Sequence, residues 1–375
     1  MRKISSVEWL RRKLEALRQA EGYVVPEGNG EVPGLKEAIA PLKLDANENY
    51  FLSRGWLESL AKEAAAEVDP RFYSVAEIGD LKHALAGYLR VAPERIVLGC
   101  GADQLIDFLA STFLRGEAIA ASVGPSYSFY RIRAALHGAR MIEIPLAQDF
   151  EFPVERAIQD AREARIFFLC SPNNPTGNQF DWDSVMDLID RFPGLVVVDE
   201  AYAEFARYQL AREVRDDRKL IVLRTLSKSF GLAGLRIGYL IAPAPLAEVF
   251  IEKVQYPYPL SSYVVHLATK VVKASVRIRE AIEAVKKERD RLARRLANIP
   301  GIAVFRSDAN FILFRWCGDE KALHQQLHES GLYLKYIGPI FDKPGYLRTT
   351  VGTESMNDRL IEALGTFTSQ ASRPK

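Results

Sequence analysis

Apolar positions near the start of the chain recur at Val7, Leu10, Leu14 and Leu17, and this spacing predicts a helix with one apolar face. From Gly22 to Leu42, Gly and Pro dominate and no period survives, which reads as an extended arm. Short, β-branched, continuously apolar runs then appear at Arg95–Gly99, Ala118–Val123, Met141–Pro145, Ile166–Cys170, Val196–Val198, Leu220–Leu223 and Gly238–Ile241. Helical patterns lie between several of them, at Ile78–Leu89, Leu105–Leu114, Tyr130–His137 and Trp182–Arg191. Strands apolar on both faces, alternating with helices, predict a mainly parallel sheet covered on both sides. Such sheets bind ligands at the carboxyl ends of their strands.

The pattern changes near Tyr256-Pro-Tyr-Pro-Leu260. A long helical stretch with one break is expected from Ser261 to Asn298, its second half densely charged on one face. Short strands are expected at Ala303–Phe305, Phe311–Phe314, Tyr333–Ile337 and Tyr346–Thr350, and a last helix over Met356–Phe367. The organisation read from this is an N-terminal helix and arm over 1–43, a large α/β domain over 44–259 and a smaller α+β domain over 260–375, the first segment packing on the small domain or on a partner subunit.

Composition narrows the classes. Of 375 residues, 50 are Lys or Arg and 48 are Asp or Glu, so the net charge is +2 and no basic excess marks a nucleic-acid partner. The apolar fraction, 48%, is that of an ordinary globular chain. Cys100, Cys170 and Cys317 are too few and too scattered for a disulfide framework or a zinc site, and suit a reducing compartment. No apolar run is long enough to span a membrane, and the N-terminus lacks the apolar stretch of a signal peptide, so the cytoplasm is the expected location.

Four clusters follow strand-like runs: Gly99-Cys-Gly-Ala-Asp103, Ser171-Pro-Asn-Asn-Pro-Thr-Gly177, Asp199-Glu-Ala-Tyr202 and the segment from Arg224 to Arg236, which contains Thr225, Ser227 and Lys228. Singly, each is a turn, a helix cap or an anion-binding loop. Together with Leu44-Asp-Ala-Asn-Glu-Asn49, Gly231–Gly238 and Tyr346–Gly352, and in this order, they resemble the fold-type-I pyridoxal-phosphate aminotransferases of class I/II. The match is closest to their histidinol-phosphate aminotransferase branch and runs from Tyr23 to the C-terminus.

The resemblance implies an α/β fold, with a large, mainly parallel mixed sheet covered by helices and a smaller α+β domain. It implies pyridoxal 5'-phosphate as cofactor and Lys228 as its covalent anchor and proton shuttle. Asp199 would pair with the pyridine nitrogen, Tyr202 and Asn174 with the ring's phenolic oxygen, and Tyr127 would stack on the ring. The cofactor phosphate would be held by backbone N–H groups of Gly101, Ala102 and Asp103 at a helix start and by Thr225, Ser227 and Arg236. Tyr73 would reach the neighbouring subunit's phosphate, so a homodimer with shared sites is implied. Arg348 matches the arginine that clamps the substrate carboxylate, and Tyr23, Lys335 and Asn47 match other substrate-binding positions. At 335 the branch typically carries arginine; lysine keeps the charge and loses the fork.

The activity implied is transfer of an amino group from histidinol phosphate to 2-oxoglutarate in L-histidine biosynthesis. Threonine-phosphate decarboxylation, or aromatic or broad-specificity transamination, are the alternatives on the same fold. His324 and His328, four apart on an expected helix, have no third ligand nearby in sequence, so no metal is expected.

Overall fold

A computed structural model describes residues 6–23 and 41–371. The helix expected from the first stripe is present as α1 (Ser6–Gln19), with Leu10 and Leu14 exposed. The expected arm lies outside the described residues from 24 to 40. The chain then runs β1 (Leu42–Lys43), α2 (Arg54–Glu67), α3 (Val75–Leu89), β2 (Ile96–Cys100), α4 (Gly101–Phe113), β3 (Ile119–Gly124), α5 (Phe129–Leu136) and β4 (Arg140–Pro145). After these come α6 (Val154–Asp160), β5 (Ile166–Cys170), α7 (Trp182–Arg191), β6 (Leu195–Asp199), β7 (Leu220–Thr225), β8 (Ile237–Ile241) and α8 (Ala244–Val249). The C-terminal third contains α9 (Ser262–Lys273), α10 (Ser275–Ala297), β9 (Ile302–Val304), β10 (Phe311–Trp316), α11 (Glu320–Glu329), β11 (Leu332–Tyr333), β12 (Lys335–Ile340), β13 (Lys343–Thr350) and α12 (Glu354–Ala371).

Seven strands form one sheet in the order β2-β8-β7-β6-β5-β3-β4. The run β7-β6-β5-β3-β4 is parallel, and β8 is antiparallel to both of its neighbours. The strands expected to be apolar on both faces are buried on both: every residue of β5, β7 and β8 is buried. One apolar cluster includes Phe167, Val196, Val198 and Val222, and a second, holding Phe168, Val197, Ile221 and α4, occupies the opposite face.

A four-stranded antiparallel sheet, β12-β13-β10-β9, forms the second layer system, with α10 and α11 against it and α12 packed on those two helices. Past the expected boundary at 259/260, α9 packs on α2 and α3, its Val265, Ala268, Val271 and Val272 buried. The single strand expected over Tyr333–Ile337 is in fact two. Leu332–Tyr333 pairs with β1, then the chain passes to β13 from Lys335 onward, with irregular register around Gly338. Pro339 lacks an amide donor and Gly338 has φ +83°, so neither supports a continuous ladder there.

Candidate active site

Because β2, β3, β5, β6 and β7 run in the same direction, their carboxyl ends share one edge of the sheet. Each end feeds a loop or helix start: Gly101–Asp103, Pro125–Tyr127, Ser171–Gly177, Asp199–Tyr202 and Thr225–Lys228. These, with residues 45–48, Lys335 and Arg348 from the antiparallel sheet, and Tyr23, line one cavity of about 540 Å³.

At one end of the cavity is a cup of donors. Residue 101 has φ +77°, and a Cβ there would meet Arg236 Nη2 at 2.5 Å, so glycine is required. Gly238 on β8 meets the same turn: a Cβ would lie 2.3 Å from the Ala102 nitrogen. Helix α4 starts at Gly101, as the resemblance implied; the apolar stripe begins only at Leu105 because the first turn, Gly101–Gln104, carries no large apolar side chain. Its leading N–H groups lack helical partners and point the positive end of the dipole at the cup. Arg236 Nη1 donates to Ser227 Oγ at 3.3 Å, and Nη2 pairs with Asp103 Oδ2 at 3.0 Å. The Thr225 hydroxyl donates to Ser227 Oγ at 2.9 Å.

The middle of the cavity holds three titratable groups shaped by burial. Asp199, at the end of β6, has its carboxyl pushed up to about 6, mainly by burial, against donors that favour the charged form. Those donors are the Tyr130 hydroxyl, 2.6 Å from Oδ2, and the Ala201 N–H, 3.0 Å from Oδ1. Lys228 is pushed down to about 8, first by burial and then by the positive charge of Arg348. Its Nζ donates to the Ala46 carbonyl at 2.8 Å. The Tyr202 hydroxyl is driven up by burial and accepts from Asn47 Nδ2 at 3.0 Å. Asn47 sits at φ +56°, and its backbone is held from the small sheet by Thr350 Oγ1 and Asn310 Nδ2.

Two cations from the small sheet and several aromatic rings complete the lining. Arg348, opposite Lys335 in the β12–β13 register, is 7% exposed. Its Nη1 donates to Asn174 Oδ1 and its Nη2 to the Asp45 carbonyl, each at 2.5 Å, and its guanidinium lies 5.2 Å from the Phe311 ring centre. The Tyr127 hydroxyl donates to Asp103 Oδ1 at 3.0 Å, which fixes that ring. Tyr23 packs edge-on to Tyr127 and Phe129.

Thus Tyr23, Asn47, Ala102, Asp103, Tyr127, Asn174, Asp199, Tyr202, Thr225, Ser227, Lys228, Arg236, Lys335 and Arg348 all line the same cavity, with Gly101 against Arg236. Tyr73 does not line it; it is 69% exposed and stacks on Tyr258 with ring centres 3.8 Å apart. Two features escaped sequence reasoning. Tyr130 sits in the first turn of α5, and nothing in its local pattern marks it as a partner of Asp199. Arg224, fully buried below the Asp199–Tyr202 loop, pairs with Glu200 at 3.0 Å and Glu204 at 2.7 Å and donates to Gln209. His324 Nε2 is 3.0 Å from the Leu334 carbonyl, His328 packs edge-on to Tyr333, and no metal-holding group of three His, Cys, Asp or Glu side chains occurs among the described residues.

A family profile described as aminotransferase class I and II matches residues 40–364. A histidinol-phosphate aminotransferase of Thermoanaerobacter pseudethanolicus is 34% identical over 324 residues, covering 86% of this chain and 92% of that one. Histidinol-phosphate aminotransferase 2 of Archaeoglobus fulgidus is 36% identical over 349 residues, covering 93% and 99%. Among solved structures, histidinol-phosphate aminotransferase from Sinorhizobium meliloti, in complex with pyridoxal 5'-phosphate, superposes with a TM-score of 0.84 at 25% identity, covering 95% and 97%.

Proposed function

The chain belongs to the class I and II aminotransferases, and from that premise we propose that it moves the amino group of histidinol phosphate to 2-oxoglutarate, with pyridoxal 5'-phosphate as resident cofactor. The observation that carries the substrate assignment is the pairing of Arg348 and Lys335 across β12–β13, on the same cavity as Tyr23. Two adjacent cations suit a substrate whose amine-bearing carbon sits near an anionic group, a phosphate in one half-reaction and a carboxylate in the other. Relatives that share more than a third of their residues with this chain over nearly its full length point to the same substrate.

The residues fit the cofactor. A cup that excludes any Cβ at 101 and 238 and offers α4 N–H groups, Ser227, Thr225 and Arg236 matches a phosphate dianion. A buried carboxylate near neutrality, Asp199, matches a protonated ring nitrogen, whose charge would hold it ionised. When bound, pyridoxal phosphate supplies the electron sink that makes the substrate Cα proton removable.

The chain's own groups do the rest. Lys228, with its amine near neutrality, anchors the cofactor and takes or returns the proton at substrate Cα. Tyr202 and Asn174 donate toward the cofactor's phenolic oxygen; Asn47 in turn holds the Tyr202 oxygen. Tyr127, fixed by Asp103, covers one face of the ring. Arg348 orients the substrate's anionic group, and Tyr23 shields that end from water.

A second copy of the chain completes the site by supplying Tyr73. Phe72, Tyr73, Tyr256 and Tyr258 are exposed, and Tyr73 stacks on Tyr258, so such an interface would cover them. Free, exposed Cys100 and Cys317 suit the cytoplasm, and no described helix is long and apolar enough to cross a membrane.

The test is a substrate panel with the purified protein and 2-oxoglutarate: histidinol phosphate, histidinol, phosphothreonine and an aromatic amino acid. Histidinol phosphate should give the highest kcat/KM. Release of CO₂ from phosphothreonine, or a preference for the aromatic amino acid, would replace this substrate while leaving the family unchanged.

A further inference from the structure

Asp199 is gripped by a residue with no place in the expected machinery. Tyr130 is 1% exposed, with its ring parallel to Phe168 at 5.0 Å and edge-on to Tyr127 at 5.5 Å. Packing on two sides leaves the ring little freedom, and its hydroxyl donates to Asp199 Oδ2 at 2.6 Å. The other carboxylate oxygen accepts from the Ala201 N–H at 3.0 Å. Two donors from different elements, α5 and the loop after β6, thus fix the carboxylate plane.

The donors also act on basicity. A carboxylate removed from water tends to take up a proton, and hydrogen bonds donated to its charged form oppose this. Burial is the largest influence on Asp199 and the Tyr130 hydroxyl the largest opposing one. Beside a ring nitrogen, a more basic carboxylate competes for the shared proton and a less basic one leaves it on nitrogen.

We propose that Tyr130 is a positioning residue that holds Asp199 as an oriented anion, so that the proton shared with the pyridine nitrogen of bound pyridoxal phosphate stays on that nitrogen. This rests on the cofactor assignment above. Tyr130 touches neither cofactor nor substrate in this role; it acts through Asp199.

The test is Tyr130→Phe, which keeps the ring that stacks on Phe168 and removes only the hydroxyl. Cofactor-free wild type and variant are titrated with pyridoxal phosphate labelled with ¹⁵N at the ring, and the nitrogen shift and dissociation constant are read. Wild type should give a pyridinium shift. The variant should move toward neutral pyridine and bind about 10-fold more weakly, the low end of what one hydrogen bond to a charged group contributes. In an Asp199→Asn background the same change should alter affinity less than about 2-fold, since the anion it serves is gone. An unmoved nitrogen shift with unchanged affinity overturns the proposal, and so does an equal loss in the Asn background, which marks a packing role. Failure of wild type to bind the cofactor overturns the assignment beneath it and the proposal with it.

Discussion

Replacing Arg348 by Lys and by Gln separates what its shape contributes from what its charge contributes. The guanidinium spans two acceptors at once, Asn174 Oδ1 and the Asp45 carbonyl, each 2.5 Å from a different nitrogen. A lysine ammonium at the end of an unbranched chain can reach one of them and cannot also present a fork to a carboxylate or phosphate. Loss of one hydrogen bond involving a charged group is worth about 1.5–3 kcal/mol, or roughly 12- to 160-fold in kcat/KM. Arg348→Lys should therefore lower kcat/KM by a factor in that range for histidinol phosphate and for glutamate alike, because on the proposed reading one arginine serves both anionic groups. Gln removes the charge as well. Arg348 is the second cause, after burial, of the depressed Lys228 amine, so its removal must raise that amine above about 8. The amine attacks only when neutral, so in cofactor-free Arg348→Gln the pH midpoint of cofactor attachment should move to higher pH, whereas Arg348→Lys should leave it near the wild-type value. Steady-state kinetics on both half-reactions and stopped-flow absorbance across pH 6–10 read these out. A Lys variant within about 3-fold of wild type on both substrates, or a Gln variant with an unmoved midpoint, would refute the reasoning.

Lys228→Ala should abolish turnover while cofactor still binds through the phosphate cup; borohydride reduction of the wild type followed by peptide mapping should find the adduct on Lys228, and an adduct elsewhere defeats the assignment. Asp199→Asn removes the anion proposed to face the ring nitrogen and should lower kcat by at least two decades, about 2.7 kcal/mol of barrier; near-normal kcat would count against it. Lys335→Ala should raise KM for histidinol phosphate by roughly 10- to 150-fold, with a smaller effect on glutamate if the lysine reads only the phosphate. Arg224→Leu strands Glu200 and Glu204 in the core, their side chains at most 2% exposed, and should cost about 3–5 kcal/mol in denaturant unfolding; a loss under about 1 kcal/mol would mean the cluster is not the anchor of the loop.

Most of the large sheet is legible in the sequence because its strands are buried on both faces: runs such as Ile166–Cys170 and Leu220–Leu223 have no polar side, and only a sheet covered on both faces accommodates that. The segments at 101–103, 125–127, 171–177, 199–202 and 225–228 were legible because each directly follows such a run, where the chain must turn at the strand's carboxyl end, whereas Tyr23, Asn47, Lys335 and Arg348 follow no such run. The split at Leu334 was not legible, since Tyr333 and Lys335 read as one alternating strand, and membership of two sheets depends on the partners β1 and β13.

What the sequence determined by itself was therefore what is encoded within a few residues: most strands of the large sheet, the glycine turn at 101, the order of the motifs and, through their resemblance, the family. Tertiary structure alone decided which distant groups face one another. Tyr130 meets Asp199 from 69 residues away, Arg348 meets Asp45 from 303, and Asn310 holds Asn47 from 263. Such contacts have no local period or spacing to betray them. They exist because strand register and helix packing bring the elements together, and the low-dielectric interior they create is what moves Asp199 and Lys228 toward neutrality.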